Sequence, residues 1–393
     1  MRLKKITSLP PLSDRAWLSA PHPTLPLLAT CSSNKTVQIS SLRTFTPLST
    51  IEGGHKRSIR SVAWKPNTGP QDNPESVLAT GSFDATAGIW RRHEGQHEEH
   101  IHSHDHDDEY GRYGEEEEEE EEWRFAVVLD GHESEVKSVA WSAGGSFLAT
   151  CSRDKSVWVW EEMDDDNFET IAVLQEHTQD VKCVKWHPEE ELLASSSYDD
   201  TIRLYKEDVD DWACCAVLTG HTSTVWDIDF EKPKPSHGSA FSRLVSCSDD
   251  LTVRIWTRTS SSDSSSFINK PPSILRTNSI EEQWTETACL PAAHTRTIYS
   301  VSWCSSQPGR IVSCGGDGKL AVYEEFEVEA HEHGEKKKEW RIVAEVGGAH
   351  GVCEVNNVCW AKRWDKGKRF EGEDLVISTG DDGVVSFWEL ALE

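Results

Sequence analysis

The sequence predicts an all-β protein, a seven-bladed β-propeller of four-stranded blades, closed by an N-terminal strand that completes the last blade. Three observations carry this prediction. A Gly-His or Ala-His pair, a short apolar run and a Ser/Thr-x-x-x-Asp turn ending on an aromatic residue recur along the chain. Within each unit the segments are four to six residues long, rich in β-branched and aromatic types and bounded by Gly, Ser, Asp and Pro, which is strand and turn chemistry. The 393 residues include 17 Trp and only two Met, as a tryptophan repeated once per unit would produce.

The first unit, DRAWLSAPHPTLPLLATCSSNKTVQIS (14–40), is the weakest copy. The second pairs GHKRSIRSVAW with LATGSFDATAGIW (54–90), and the third is uninterrupted, GHESEVKSVAWSAGGSFLATCSRDKSVWVW (131–160). The fourth is EHTQDVKCVKWHPEEELLASSSYDDTIRLY (176–205), and the fifth joins GHTSTVWDIDF to LVSCSDDLTVRIW (220–256). The sixth joins AHTRTIYSVSW to IVSCGGDGKLAVY (293–323), and the seventh AHGVCEVNNVCW to LVISTGDDGVVSFW (349–388). The closing residues Ser40, Trp90, Trp160, Tyr205, Trp256, Tyr323 and Trp388 are spaced by 45 to 70 residues. The shortest spacing fits a repeat of about 40–45, and the longer ones hold insertions. Apolar segments before the histidines (RFAVVL, TIAVLQ, ACCAVL, ETACLP, RIVAEV) supply a fourth strand. Radial repetition removes long unpaired sheet edges. The last unit provides only three strands at 355–388, so LKKITSL (3–9) is expected to be its outer strand.

The whole chain, 1–393, therefore reads as one propeller with three insertions: acidic and His-rich at 93–122, Ser-rich at 259–279 and charged at 331–339. The first is expected to join strand c of the second unit to strand d of the third. It holds fifteen acidic residues and one arginine, half of the chain's net charge of −28, and has almost nothing apolar to bury. Its six histidines, at 93, 97, 100, 102, 104 and 106, read as a solvated loop with at most loose Zn²⁺ or Ni²⁺ affinity. The acidic balance argues against nucleic-acid or anionic-membrane binding. No apolar run approaches the roughly 18 residues that span a bilayer, and the N-terminal stretch lacks the apolar centre of a secretory signal. Eleven Cys with no C-x-x-C pair read as reduced thiols.

The Gly-His or Ala-His pair, the Asp turn and the closing Trp resemble the WD-repeat family. The resemblance implies a buried hydrogen-bond tetrad in each complete blade: His55/Thr80/Asp84/Trp90, His132/Thr150/Asp154/Trp160, His177/Ser195/Asp199/Tyr205, His221/Ser246/Asp250/Trp256, His294/Ser313/Asp317/Tyr323 and His350/Ser378/Asp382/Trp388. The chemistry supports it. Asp accepts from the His N–H and turn amides, His takes the hydroxyl proton, and the hydroxyl oxygen accepts the indole or phenol donor. The first unit has Asn34, Ser40 and no matching His, so no tetrad is expected there. Ser, His and Asp also invite a hydrolase reading, but a catalytic triad occurs once, in a cleft beside an oxyanion hole. Six copies at matching positions beside a burying aromatic point to structure. Cys31, Cys151, Cys247 and Cys314 occupy one small-residue slot three positions before the turn Asp or Asn, and read as packing residues.

Three positions per blade are expected to face the upper mouth of the channel: the two flanking the first apolar residue of strand a, and the one before the turn Asp. All five cations at these positions, Arg15, Arg60, Lys137, Arg153 and Lys182, fall in blades 1–4, against two acids, Glu135 and Asp180. The aromatics Trp17, Phe83, Tyr198, Trp226 and Tyr299 lie among or beside them. Basic and aromatic residues are what binding hot spots use, so these ten are the expected partner-binding set. Arg153 stands out, because no fold rule demands a cation at its slot; the bland alternative is an ion pair with Asp180.

Within the WD-repeat family, HESEVKSVAW, LATCSRDKSVWVWE, HTQDVK, DDWACCAVLTGH and CSDDLTVRIW resemble the branch that serves cytosolic iron–sulfur protein assembly. That resemblance implies a non-catalytic scaffold with no cofactor or metal of its own, acting late in a targeting complex in the cytoplasm and also the nucleus. Implied partners are a MIP18-type protein, a large HEAT-repeat targeting protein, an iron-only-hydrogenase-like cluster carrier and client apoproteins, the chain being a monomer within that complex. The alternative is a generic WD-repeat adaptor, such as a ubiquitin-ligase substrate receptor or a chromatin scaffold.

Overall fold

Each repeat folds into four antiparallel strands, a to d from the axis outward, in a computed structural model that describes residues 1–66, 75–93, 122–164, 166–209, 211–232, 242–259, 281–329 and 336–391. The inner a strands of blades 1 to 7 are Ala16–Pro21, Ile59–Trp64, Val136–Trp141, Val181–Trp186, Val225–Phe230, Ile298–Trp303 and Val355–Lys362. Each packs against the next, and that of blade 7 against that of blade 1, so the ring is closed. The second residue of each lines one cavity and later residues of each line another, so all seven run the same way along the channel. The b–c turns and d–a loops therefore lie on the upper face, and the a–b and c–d connections on the lower.

The sheets alternate apolar residues toward both neighbours, because every blade is covered on two faces. The core is correspondingly divided. Seven hydrophobic clusters each fill one seam between adjacent blades; Ile59, Val62 and Trp64 of blade 2, for example, pack on Ala29, Val37 and Ile39 of blade 1.

The N-terminal strand, Arg2–Ser8, is the outer strand of blade 7, antiparallel to strand c (Val385–Ala391), with Arg2 opposite Ala391 and Ser8 opposite Ser386. Leu3 is buried in the seam between blades 6 and 7, and Leu9 in the seam between blades 7 and 1. The segment read from the sequence, 3–9, is offset from the strand by one residue.

Two expectations need correction. Arg124–Leu129 pairs with strand c of blade 2, Ala87–His93, with Ala87 opposite Leu129. The acidic stretch thus joins strands c and d of blade 2, not strand c of blade 2 to strand d of blade 3, because the segment before each histidine completes the blade that precedes it. The charged stretch 331–339 is also not wholly an insertion. Lys336 to Glu339 open strand d of blade 6, Lys336–Val346, where Lys338 faces Glu327 across the ladder, a favourable opposite-charge pair. Most of the acidic and Ser-rich stretches, including the histidine cluster beyond His93, lies outside the described residues.

At the a–b turn of blade 1, His22 Nδ1 accepts the amides of Thr24 (3.2 Å) and Leu25 (3.0 Å), while Nε2 is buried without a partner. Burial lowers its pKa from 6.5 to about 4. The folded value lies below the unfolded one, so this contribution to stability is complete above pH 6.5 and is lost as the pH falls toward 4. In His22→Asn the side-chain oxygen keeps an acceptor for both amides. Its melting temperature is expected to vary less between these limits than that of the parent chain; an unchanged slope would refute the assignment.

Candidate interaction face

The His–Asp and His–hydroxyl contacts of all six tetrads form as read, and in five of them the aromatic residue reaches the hydroxyl. In blade 3, His132 Nδ1 lies 2.8 Å from Asp154 Oδ2 and Nε2 lies 2.8 Å from Thr150 Oγ1, which accepts Trp160 Nε1–H at 3.0 Å. Asp154 also accepts the amides of Glu133 (3.0 Å) and Ser156 (2.9 Å). Burial alone would raise these aspartates. Hydrogen bonds from His and the turn outweigh it, bringing Asp317 down to about 2 and Asp84, Asp154, Asp199 and Asp250 lower still. Each tetrad pins a b–c turn to a d–a loop and so fixes the upper face.

The two tyrosine variants differ. The Tyr323 hydroxyl is 3.4 Å from Ser313 Oγ. That of Tyr205 is buried without a partner at hydrogen-bond geometry, although Ser195 lies close enough to influence its ionisation. Of the two, only the Tyr323 hydroxyl is hydrogen-bonded, and there it accepts from Ser313 Oγ where a tryptophan would donate. In blade 1, Thr30 Oγ1 pairs with Ser19 Oγ at 2.7 Å in place of a histidine, and Asn34 Nδ2 donates to Ser13 Oγ at 2.8 Å.

A β-bulge aims one residue of every inner strand into the upper mouth. The a–b ladder slips once in each blade, and the residue skipped is Trp17, Arg60, Lys137, Lys182, Trp226, Tyr299 or Asn356 in turn. A bulge re-aims a side chain out of the pleat. Here seven of them ring a cavity of about 320 Å³, which Arg15, Phe83, Glu354 and Asp381 complete. Eight of the ten residues singled out from the sequence meet there. The other two, Arg153 and Tyr198, line an adjoining shallow pocket with Glu135, Lys137, Gln179 and Asp180.

Cations and rings are interleaved. Arg60 lies 5.1 Å from the Trp17 ring, Lys137 4.3 Å from Phe83, and Lys182 5.0 Å from Trp226 and 5.1 Å from Tyr198. The rings are held by their polar tips: Trp17 Nε1 donates to Ser58 Oγ, Trp226 Nε1 to Asp249 Oδ1 and Tyr299 Oη to Glu354 Oε2, each at 2.9 Å. Burial lowers the Lys137 pKa and Glu135 pulls it back up, but Lys182 and Arg60 push it down again. The cations thus crowd one another. The opposite wall is acidic, with Glu354 and Asp381. Arg153 is more than half exposed; its Nη1 is 3.5 Å from Glu135 Oε2 and its Nε 4.0 Å from Asp180 Oδ2.

Arg57 and Arg296 were missed. Arg57 Nη1 donates to Phe83 O at 2.8 Å and its Nη2 lies 3.5 Å from Glu135, while Arg296 lies 4.0 Å from Glu354. Both stand two residues before strand a, so a fourth slot per blade would have found them.

Below the mouth, side chains from neighbouring blades bond around the channel. Cys183 Sγ donates to Asp227 Oδ1 (3.1 Å), Ser300 Oγ to Asp227 Oδ2 (2.7 Å) and Asn357 Nδ2 to Ser300 Oγ (3.0 Å), and Asn357 Oδ1 accepts the Ser19 amide (3.2 Å). The four slot cysteines are fully buried. Burial pushes the Cys31 thiol up to about 12 and those of Cys151, Cys247 and Cys314 well above their ordinary value. No group of three or more metal-ligating side chains occurs among the described residues.

Residues 45–91, 123–161, 168–206, 212–257 and 285–324 match the WD domain, G-beta repeat family, and these spans contain five of the six tetrads. The chain is 52% identical to the probable cytosolic iron-sulfur protein assembly protein 1 of Emericella nidulans, over 97% of this chain and 94% of that protein. It is 51% identical to the protein of that name from Aspergillus terreus (96% of each chain) and 49% identical to the one from Aspergillus fumigatus (98% of this chain, 96% of that protein). With identity at this level over nearly its full length, and a ring of tetrad-pinned blades beneath it, the chain belongs to the WD-repeat family and, within it, to the family of cytosolic iron–sulfur protein assembly protein 1.

Proposed function

We propose that this protein is a non-catalytic scaffold of cytosolic iron–sulfur protein assembly, acting late, in a targeting complex that brings clusters to cytosolic and nuclear apoproteins. Half-identity over nearly the whole length to relatives named for that assembly carries the reading. Its partners are a MIP18-type protein, a HEAT-repeat targeting protein, an iron-only-hydrogenase-like carrier and the clients. The upper mouth supplies the docking chemistry. Arg60, Lys137 and Lys182 seat carboxylates, and the fixed rings of Trp17, Phe83, Trp226 and Tyr299 accept an aromatic or apolar side chain. Arg153 at the rim forks onto a further carboxylate.

Arg153→Glu tests this. Its ion pairs are exposed, and such pairs contribute about 0–1 kcal/mol, so the melting temperature is expected to stay within a few degrees. Recovery of the targeting components from cell extract is expected to fall about tenfold, equivalent to about 1.4 kcal/mol, with poorer maturation of cytosolic iron–sulfur enzymes. Unchanged recovery would remove Arg153 from the site. Capture of cullin adaptors or histones in place of the assembly factors would overturn the scaffold assignment.

A further inference from the structure

In a chain of net charge −28, the lower face of blade 7 is basic. Its a–b connection reads KRWDKGKRFEGE (362–373). The acids there are largely committed. Asp365, Glu373 and Glu389 surround the buried Arg363 guanidinium at 2.7, 3.1 and 3.0 Å, and Glu373 also takes Arg369. What remains at the surface is mostly positive. Lys362 and Lys368 share one exposed carboxylate, Glu371 (3.3 and 2.7 Å), and Lys366 is exposed with no acidic partner among the described residues. Arg43, from the c–d turn of blade 1, completes the patch, its guanidinium 5.3 Å from the Trp364 ring, which Lys362 approaches to 4.6 Å. Phe370 stands 56% exposed beside them.

We propose that this patch is the docking surface for the chain's own acidic segment, residues 94–121. The chemistry is complementary. The segment carries fourteen acids, one arginine and two tyrosines, Tyr110 and Tyr113, opposite a surface of lysines, an arginine, a tryptophan and a phenylalanine. The anchors are on the right face. The segment leaves strand c of blade 2 at His93 and returns to strand d at Arg124, and c–d connections lie on the lower face. Only blade 1, which contributes Arg43, stands between blade 2 and blade 7. Fourteen residues out and fourteen back reach about 45 Å, more than the radius of gyration of about 21 Å expected for a compact chain of this length. The basic mouth of blades 1–4 opens at the opposite end of the channel. Tethering gives the segment an effective concentration on the order of millimolar at the patch, so it prevails over a free acidic peptide of equal intrinsic affinity. The contact is electrostatic and is screened by salt.

The probe is a fluorescein-labelled synthetic peptide of residues 94–121, titrated at low salt into the full chain and into a chain with 94–121 replaced by a short Gly-Ser linker. The shortened chain is expected to melt within a few degrees of the full one, because a long surface connection costs little closure entropy, and to bind the peptide. The full chain is expected to bind it at least about tenfold more weakly, its patch being occupied. In the shortened chain, Lys362→Glu/Lys366→Glu/Lys368→Glu is expected to weaken binding about tenfold or more, and salt of about 0.5 M to abolish it. If the triple variant does not fold, Lys366→Ala/Phe370→Ala takes its place. Equal binding by full and shortened chains would mean that the patch receives acidic segments other than its own, and would overturn the proposal. So would the absence of binding, or binding that ignores the patch substitutions.

Discussion

A chain lacking residues 1–10 is expected to aggregate or fail to accumulate in soluble form. The deletion removes the whole outer strand of blade 7 together with Leu3 and Leu9, each buried in a different seam. Burying a leucine is worth about 1.5–3 kcal/mol, and a folded domain has only about 5–15 kcal/mol in hand. The loss also exposes the full length of strand Val385–Ala391 as an unpaired edge, a template for association with other chains. Other ties between blades 7 and 1 remain, but none of them pairs the exposed edge. They include Asn356 Nδ2 to Ala16 O at 3.0 Å and Arg15 to Asp381 at 3.6 Å. Size-exclusion chromatography and thermal melting of the truncated chain read the outcome. A soluble monomer with unchanged melting would show that another segment closes the ring.

Asp250→Ala is expected to cost about 3–5 kcal/mol, as breaking a buried charge-assisted network does. Its carboxylate receives His221 Nδ1–H (2.8 Å), the amides of Thr222 (3.1 Å) and Thr252 (2.9 Å) and the Thr252 hydroxyl (2.6 Å). Alanine removes the acceptor that all four donors share, and the His221 ring loses the carboxylate that orients it toward Ser246. Urea unfolding would show a lower midpoint with an unchanged slope. A loss below about 1 kcal/mol would mean that the b–c turn of blade 5 holds its shape without the tetrad.

What was legible in the sequence was what repeats. His132, Thr150, Asp154 and Trp160 stand at offsets that other units copy, so one reading served six blades. The mouth residues were legible for the same reason, although the cause was hidden: a bulge after Ala16, Ile59 or Val136 leaves no mark on the composition of the strand. Contacts that join units were not legible. Arg91 meets Glu75 of its own blade and, across the seam between blades 2 and 3, Asp166 and Glu162, at separations up to 75 residues. The partner of Arg124–Leu129 was misread because an apolar segment before a histidine shows that a strand exists, not which ladder it joins. Tyr205 and Tyr323 are equivalent in sequence, and only the fold separates their hydroxyls.

The division of the core into seven seams has a consequence for how this protein fails. Each blade is one site of a cyclic one-dimensional lattice whose free energy resides largely in the links between sites. A linear array of such units needs special caps at its ends. This ring has no ends, because the chain's break falls inside blade 7, where strand pairing spans it. No blade is therefore a module that could be excised or survive alone, and opening any one link turns both flanking blades into uncapped termini. A lesion in one seam is felt as the loss of closure by all seven.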